Sequence, residues 1–101
     1  MTALPSLEHF DFREYEHFYE PSEDTYLLVD ALDAEKDFIR YTVQPRLCLE
    51  IGPGSGVVTA ALCAMLKEGG RGAPQPLFMA AEINRKASEA CKRTAEANKV
   101  I

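Results

Sequence analysis

The sequence of 101 residues contains no tryptophan, only three cysteines and no long apolar run. Three widely spaced cysteines, Cys48, Cys63 and Cys91, fit neither a disulfide framework nor paired zinc ligands, and they favour buried thiols in a reducing compartment. No stretch approaches the roughly 18 apolar residues of a membrane helix, so we expect no membrane partner. Basic residues are also scarce, at 11 against 16 acidic ones. The resulting charge of −5 argues against direct nucleic-acid binding. A single small domain of ordinary apolar content remains.

Apolar patterning predicts alternating helices and strands after an irregular arm over 1–18. The predicted elements are a helix over 23–38 with Ser22 as N-cap, a buried strand over 46–51, a helix over 57–66, a strand over 77–81 and a helix from 87 onward. A connector over 41–45 and a flexible glycine-rich loop over 69–74 join them. This order indicates an α/β fold built on a right-handed β-α-β unit. In the last helix, Glu89 and Arg93 have the spacing of an ion pair.

The informative segment is 50–56 (EIGPGSG), at the predicted carboxyl end of the first strand. Glycine is needed where a backbone bends sharply or must touch a ligand. The helix that follows presents free N–H groups. Ligands of open parallel sheets bind at this end of the strands. The segment therefore predicts a ligand site.

The same segment discriminates between ligands. The dinucleotide fingerprint requires a glycine at position 57, which is Val57, and the Gly-Lys-Ser/Thr ending of a phosphate-binding loop is absent. Glu50 would repel a pyrophosphate, whereas it suits the ammonium and sulfonium groups of S-adenosylmethionine. Pro53 removes a further N–H donor that a phosphate could use. A cationic ligand is thus favoured over a phosphorylated one.

Glu82 closes the second predicted strand. In this architecture, the acid at that position accepts hydrogen bonds from ribose hydroxyls. It follows Gly56 by 26 residues, more than the usual separation of about 20, and the loop over 69–74 could absorb the excess. Ile83 would then cover an adenine ring.

These residues resemble motif I of the class I S-adenosylmethionine-dependent methyltransferases. Residues 19–28 (YEPSEDTYLL) further resemble the segment before motif I in the eukaryotic HemK-like release-factor glutamine methyltransferases. Residues 82–84 (EIN) resemble that family's Asp-Ile-Asn turn, and residues 98–100 (NKV) the end of its next helix. The resemblance covers residues 17–101 and implies a Rossmann-like class I methyltransferase fold, truncated after the second β-α unit. Residues 19–101 would be the amino-terminal, cofactor-binding half of the domain.

The resemblance implies S-adenosylmethionine as cofactor and assigns nine residues to its site. Direct contacts would come from four residues, the pocket would be shaped by three more, and two would close it over the methionine end. In that order they are Thr25, Glu50, Gly52 and Glu82; Gly54, Gly56 and Ile83; and Tyr19 and Pro21. No metal ligand is implied.

The family's catalytic signature, Asn-Pro-Pro-Tyr, does not occur in this sequence. Methyl transfer requires the nucleophile and the sulfonium to be held in line, so we expect the chain to be an amino-terminal fragment or truncated gene product that is inactive alone. Two parallel strands with a bare edge also make a weak core, and we expect the isolated chain to be aggregated or partly unfolded.

The implied partners are a class-1 translation release factor as substrate and a small zinc-containing activator subunit, whose docking strand would lie beyond residue 101. The implied location is the cytoplasm, with the nucleus as a second compartment. Two alternatives stay open. One is a methyltransferase acting on a lysine or a nucleic-acid amine, because later elements of this fold read the substrate. The other is a non-catalytic truncated isoform.

Overall fold

The computed structural model describes residues 4–67 and 75–100, which form two strands, three α-helices and two short helical turns. The α-helices are α1 (Glu23–Asp37), α2 (Val57–Lys67) and α3 (Arg85–Ala97), and the strands are β1 (Leu47–Ile51) and β2 (Leu77–Ala81). The predicted order of elements is confirmed. The glycine-rich loop predicted over 69–74 lies outside the described residues.

The two strands pair in parallel, as the β-α-β pattern predicts. Leu47 lies beside Leu77, and Ile51 lies beside Ala81. The N–H of Gly52 extends the ladder by donating to the carbonyl of Ala81 at 2.8 Å. Both strands therefore deliver their carboxyl ends to one edge of the sheet, where the glycine segment begins.

The core is centred on α2, whose sequence is apolar on nearly all sides. Ala61 and Met65 are fully buried and pack with Val29 of α1. The other side of α2 faces the sheet and α3, and Cys63 is buried there. This confirms the prediction of a packed apolar helix and places its N-terminus directly behind the glycine segment.

The prediction that the first strand is buried is wrong for one of its two faces. Leu47, Leu49 and Ile51 alternate along β1 and are 52%, 55% and 75% exposed, and their neighbours Leu77 and Met79 are 64% and 50% exposed. Successive strand side chains point to opposite faces, and helices cover only the face that carries Cys48 and Glu50. The described residues thus leave five large apolar side chains on an open sheet face.

We expect this open face to drive self-association of the isolated chain. Replacing Leu49 and Met79 together with threonine introduces β-branched residues that strands favour and removes much of the contiguous apolar surface. Sedimentation velocity should show the double variant shifted towards the monomer. Phe12→Gln serves as control, because Phe12 is an apolar side chain that is 77% exposed but belongs to the short helical turn of the arm and not to the sheet. Equal association of all three proteins would contradict this expectation.

Two connecting segments differ from the predictions. The arm is not irregular throughout, because Phe12–Glu16 forms a 3-10 helix that Asp11 and Glu14 cap reciprocally. The connector predicted over 41–45 is instead largely helical: a π-helical turn, Phe38–Val43, continues α1 and ends at Gln44, whose φ is +51°. Neither segment has an apolar period long enough to reveal a short helix in the sequence.

Candidate functional site

The glycine segment forms a tight bend between β1 and α2. Gly52, Gly54 and Gly56 have φ values of +68°, +56° and +88°, a backbone region that side chains with a Cβ rarely adopt. The N–H of Gly56 donates to the carbonyl of Pro53 at 2.9 Å and closes the turn. The first N–H groups of α2 follow immediately and have no partner within the helix.

Gly56 is also where the bend touches α3. A Cβ placed on Gly56 would lie 2.8 Å from both the Cα and the Sγ of Cys91. No real side chain fits at that distance, so the absence of a side chain lets the loop and α3 meet. Gly52, in contrast, faces open space.

A cavity of about 220 Å³ lies between this bend and the start of α1. Six of the nine predicted site residues line it. They are Tyr19, Pro21, Thr25, Glu50, Gly52 and Gly54. The segment before α1 and the glycine bend, which are distant in sequence, therefore meet in one concave site.

Asp24 lines the same cavity, although it is not among the nine predicted site residues. Its Oδ1 accepts hydrogen bonds from the hydroxyls of Tyr19 at 2.9 Å and Ser22 at 2.8 Å. These two bonds lower the pKa of Asp24 below its ordinary value, and the bond from Ser22 has the larger effect. The sequence feature that could have identified Asp24 as a site residue is its position directly before Thr25, since both occupy the first turn of α1.

Glu50 brings the second carboxylate to the cavity. The hydroxyl of Thr59, in the first turn of α2, donates to its Oε1 at 2.5 Å. This bond fixes the carboxylate at the N-terminus of α2, where the helix dipole stabilises negative charge. Two carboxylates on one small cavity favour a ligand with a cationic group and disfavour a phosphate.

Glu82 reaches the bend from the end of β2 rather than lining the cavity. Its Oε1 accepts from the N–H of Gly54 at 3.3 Å, and its Oε2 accepts from the N–H of Asn84 at 3.1 Å. It also borders a second cavity, of about 240 Å³, between the sheet and α3. Ile83 follows at the surface and is fully exposed. Glu82 and Ile83 thus lie beside the bend, and their roles towards a nucleoside stay predictions.

Neither a metal centre nor a membrane segment is found in residues 4–67 and 75–100. No group of three or more His, Cys, Asp or Glu side chains is arranged to hold a metal ion there. Within the same ranges, no helix has both the length and the apolar character needed to cross a bilayer.

Comparison with known proteins identifies relatives along nearly the whole chain. It is 40% identical over 98 residues to the human protein named Methyltransferase HEMK2, and 38% identical over 99 residues to the mouse protein of that name. It is 33% identical over 104 residues to the eRF1 methyltransferase catalytic subunit mtq2 of Schizosaccharomyces pombe. The chain is homologous to part of these methyltransferases. The predicted resemblance to HemK-like release-factor methyltransferases is therefore confirmed.

The extent of the match differs between the chain and its relatives. The alignments cover 97% to 100% of this chain but 42% to 43% of the length of each HemK-like relative. No protein-family model matches the chain. The aligned length thus includes the glycine bend and the segment before α1, whereas most of each relative has no counterpart in these 101 residues.

Proposed function

We propose that this chain forms the S-adenosylmethionine-binding part of a Rossmann-like class I methyltransferase. The observation that carries the proposal is the cavity at the carboxyl end of β1, where the segment before α1 meets the glycine bend. Its carboxylates, Asp24 and Glu50, match the cationic groups of S-adenosylmethionine. Its left-handed glycines let a ligand approach the backbone. The names of the HemK-like relatives support the same reaction class.

Each group has a distinct task in this proposal. Glu50 and Asp24 would orient the methionine end by its ammonium group and favour the charged sulfonium over uncharged competitors. Thr25 and Tyr19 would add hydroxyl contacts, and Pro21 would shield the ligand from water. S-adenosylmethionine, when bound, supplies the methyl group. Because the sequence holds no Asn-Pro-Pro-Tyr signature, we assign no catalytic residue.

The nucleoside end would lie beside Glu82. Binding would exchange one or both of the hydrogen bonds that its carboxylate accepts from Gly54 and Asn84 for bonds donated by ribose hydroxyls. Ile83, exposed next to it, would lose apolar surface against the adenine. Gly56 would contribute indirectly, by letting the bend rest on α3.

We propose a class-1 release factor as the methyl acceptor, since one HemK-like relative is named an eRF1 methyltransferase catalytic subunit. The word subunit in that name supports a partner protein, for which the small zinc-containing activator is our proposal. The cytoplasm, where translation ends, and secondarily the nucleus are the proposed locations.

The direct test is calorimetric titration of the chain with S-adenosylhomocysteine. We expect binding at a single site, and Glu82→Ala should weaken it by about 1–3 kcal/mol, since ribose hydroxyls would lose a charged acceptor. Glu89→Ala is the matched control, because Glu89 is an exposed carboxylate on α3 that pairs only with Arg85 in the described contacts. Equal affinity of wild type and Glu82→Ala would refute the ribose assignment, and absence of binding by the wild type would refute the proposed function.

A further inference from the structure

The arm over residues 4–18 is fastened along the whole length of α3. Just beyond the C-terminus of the helix, the backbone N–H of Ser6 donates to Oδ1 of Asn98 at 2.7 Å. The side-chain amide of Asn98 donates in return to the carbonyl of Ser6 at 2.9 Å. At the other end, the side-chain amide of Asn84, the N-cap, donates to the carbonyl of His17 at 2.7 Å. The arm therefore runs antiparallel to α3 and enters the cavity at Tyr19, directly after its last contact.

Arg93 holds the middle of the arm. Its guanidinium donates to the carbonyl of His9 at 2.8 Å, forms an ion pair with the carboxylate of Glu14, and lies 5.0 Å from the ring centre of Phe10. The predicted ion pair between Glu89 and Arg93 is thus wrong, because Glu89 pairs with Arg85 instead. The side chain of Arg93 therefore binds residues of the arm, and none of its described polar contacts is to another residue of α3.

A second chain of contacts continues from the arm to the glycine bend through Thr94. Thr94 is completely buried, and its hydroxyl lies 2.5 Å from the carbonyl oxygen of Ser55 and 3.0 Å from Nε2 of His9. A carbonyl only accepts, so the single hydroxyl proton of Thr94 points to Ser55. His9 must then donate through Nε2. Its Nδ1 is buried without a hydrogen-bond partner, and burial, followed by the charge of Arg93, lowers the pKa of His9 while Glu14 raises it.

Ser55 is the residue between the two left-handed glycines, Gly54 and Gly56, and it lines the cavity. The bend is therefore held from the α3 side at two neighbouring points. One is the contact of Gly56 with Cys91, and the other is the bond that Ser55 accepts from Thr94. The carbonyl of Tyr19, the first residue after the arm, lies 4.0 Å from a Cβ built on Gly54.

We propose that Thr94 is a positioning residue for the ligand-binding bend, and that docking of the arm on α3 is coupled through it to cofactor affinity. The identity of the ligand in this inference rests on the proposed function, whereas the coupling between the arm and the bend does not. Docking of the arm places Nε2 of His9 as a donor to the Thr94 hydroxyl oxygen, which leaves the proton of that hydroxyl for the Ser55 carbonyl and so holds the carbonyl in position. Reciprocally, a ligand that orders the bend must tighten the arm.

The test compares Arg93→Gln with Arg85→Gln by hydrogen exchange and mass spectrometry of the full chain at sub-micromolar concentration. Both variants remove one arginine charge from α3, but Arg85 contacts only Glu89 in the described ion pairs, whereas Arg93 holds the arm. In Arg93→Gln we expect faster exchange in peptides covering the arm and also in peptides covering residues 52–60. The affinity for S-adenosylhomocysteine should fall about fivefold, the scale of one lost charged contact. Arg85→Gln should match the wild type in all three.

Substitutions at Thr94 test the bridge itself. Thr94→Val keeps the shape and loses both hydrogen bonds, so residues 52–60 should exchange faster and affinity should fall about tenfold. Thr94→Ser keeps the hydroxyl and should restore both readouts. Should Thr94→Val fail to fold, the surface variant Arg93→Gln and the conservative Thr94→Ser still decide the question.

The result that overturns the proposal is arm exchange that accelerates in Arg93→Gln while the bend and the ligand affinity stay at wild-type values. If the wild-type chain binds no S-adenosylhomocysteine, the proposed function fails. The coupling is still decided then, because exchange of residues 52–60 in the ligand-free variants reads it directly.

Discussion

Gly56→Ala is expected to destabilise the chain by about 3 kcal/mol, the sum of overpacking and of a left-handed backbone. The new Cβ would lie 2.8 Å from the backbone Cα of Cys91 and 3.1 Å from its carbonyl oxygen, at a φ of +88°. Backbone atoms cannot swing aside as a side-chain end can, so α3 must move away from the bend. For a domain of this size the thermal midpoint should fall by roughly 10–20 °C.

The matched control is Gly52→Ala, at a φ of +68° with nothing within 4 Å of the added Cβ. The Gly52→Ala variant adds only the backbone strain, about 1 kcal/mol. We therefore expect only a small fall in its thermal midpoint, together with a loss of affinity for S-adenosylhomocysteine. Circular dichroism melts, recorded in the Leu49→Thr, Met79→Thr background to limit association, measure both. Equal midpoints for the two glycine variants would show that the contact with Cys91 does not support the fold.

The second large effect is expected from Glu50→Gln. Glutamine keeps the length of the side chain and still accepts from the hydroxyl of Thr59, so only the charge is lost. A charged hydrogen bond is worth about 1.5–3 kcal/mol. The affinity for S-adenosylmethionine should therefore fall about ten- to hundredfold.

A ligand without the amino-acid group provides the control for that charge. Methylthioadenosine keeps the nucleoside but has neither the ammonium nor the sulfonium, so Glu50→Gln should leave its affinity unchanged. Fluorescence competition or calorimetry measures both ligands. An equal loss for both would mean that the substitution disturbs the bend rather than removing an attraction.

Much of the fold could be predicted from local sequence patterns. Strand, glycine bend and packed helix follow one another in sequence, so the run from Leu47 to Leu66 could be predicted from neighbouring residues. The site followed from the general rule that ligands bind where parallel strands end. That rule predicted Glu50 and Gly52, the family resemblance added Tyr19 and Thr25, and all four residues line one cavity.

Contacts between distant segments could not be predicted. Glu14 and Arg93 are separated by 79 positions, and nothing in either local sequence shows that they pair. The helical spacing of Glu89 and Arg93 suggested the wrong partner, because spacing reports proximity on one helix only. Likewise, Leu47 and Leu49 have the sequence of a strand buried on both sides, but a pattern cannot say which faces the rest of the chain covers.

The most direct measurement of ligand choice is a pair of calorimetric titrations of the same protein, one with S-adenosylmethionine and one with NAD. Carboxylates of Asp24 and Glu50 beside a bend without a lysine predict heat of binding for the sulfonium compound and none for the pyrophosphate. Binding of NAD, or silence towards S-adenosylmethionine, would contradict the assignment of this bend to a cationic cofactor.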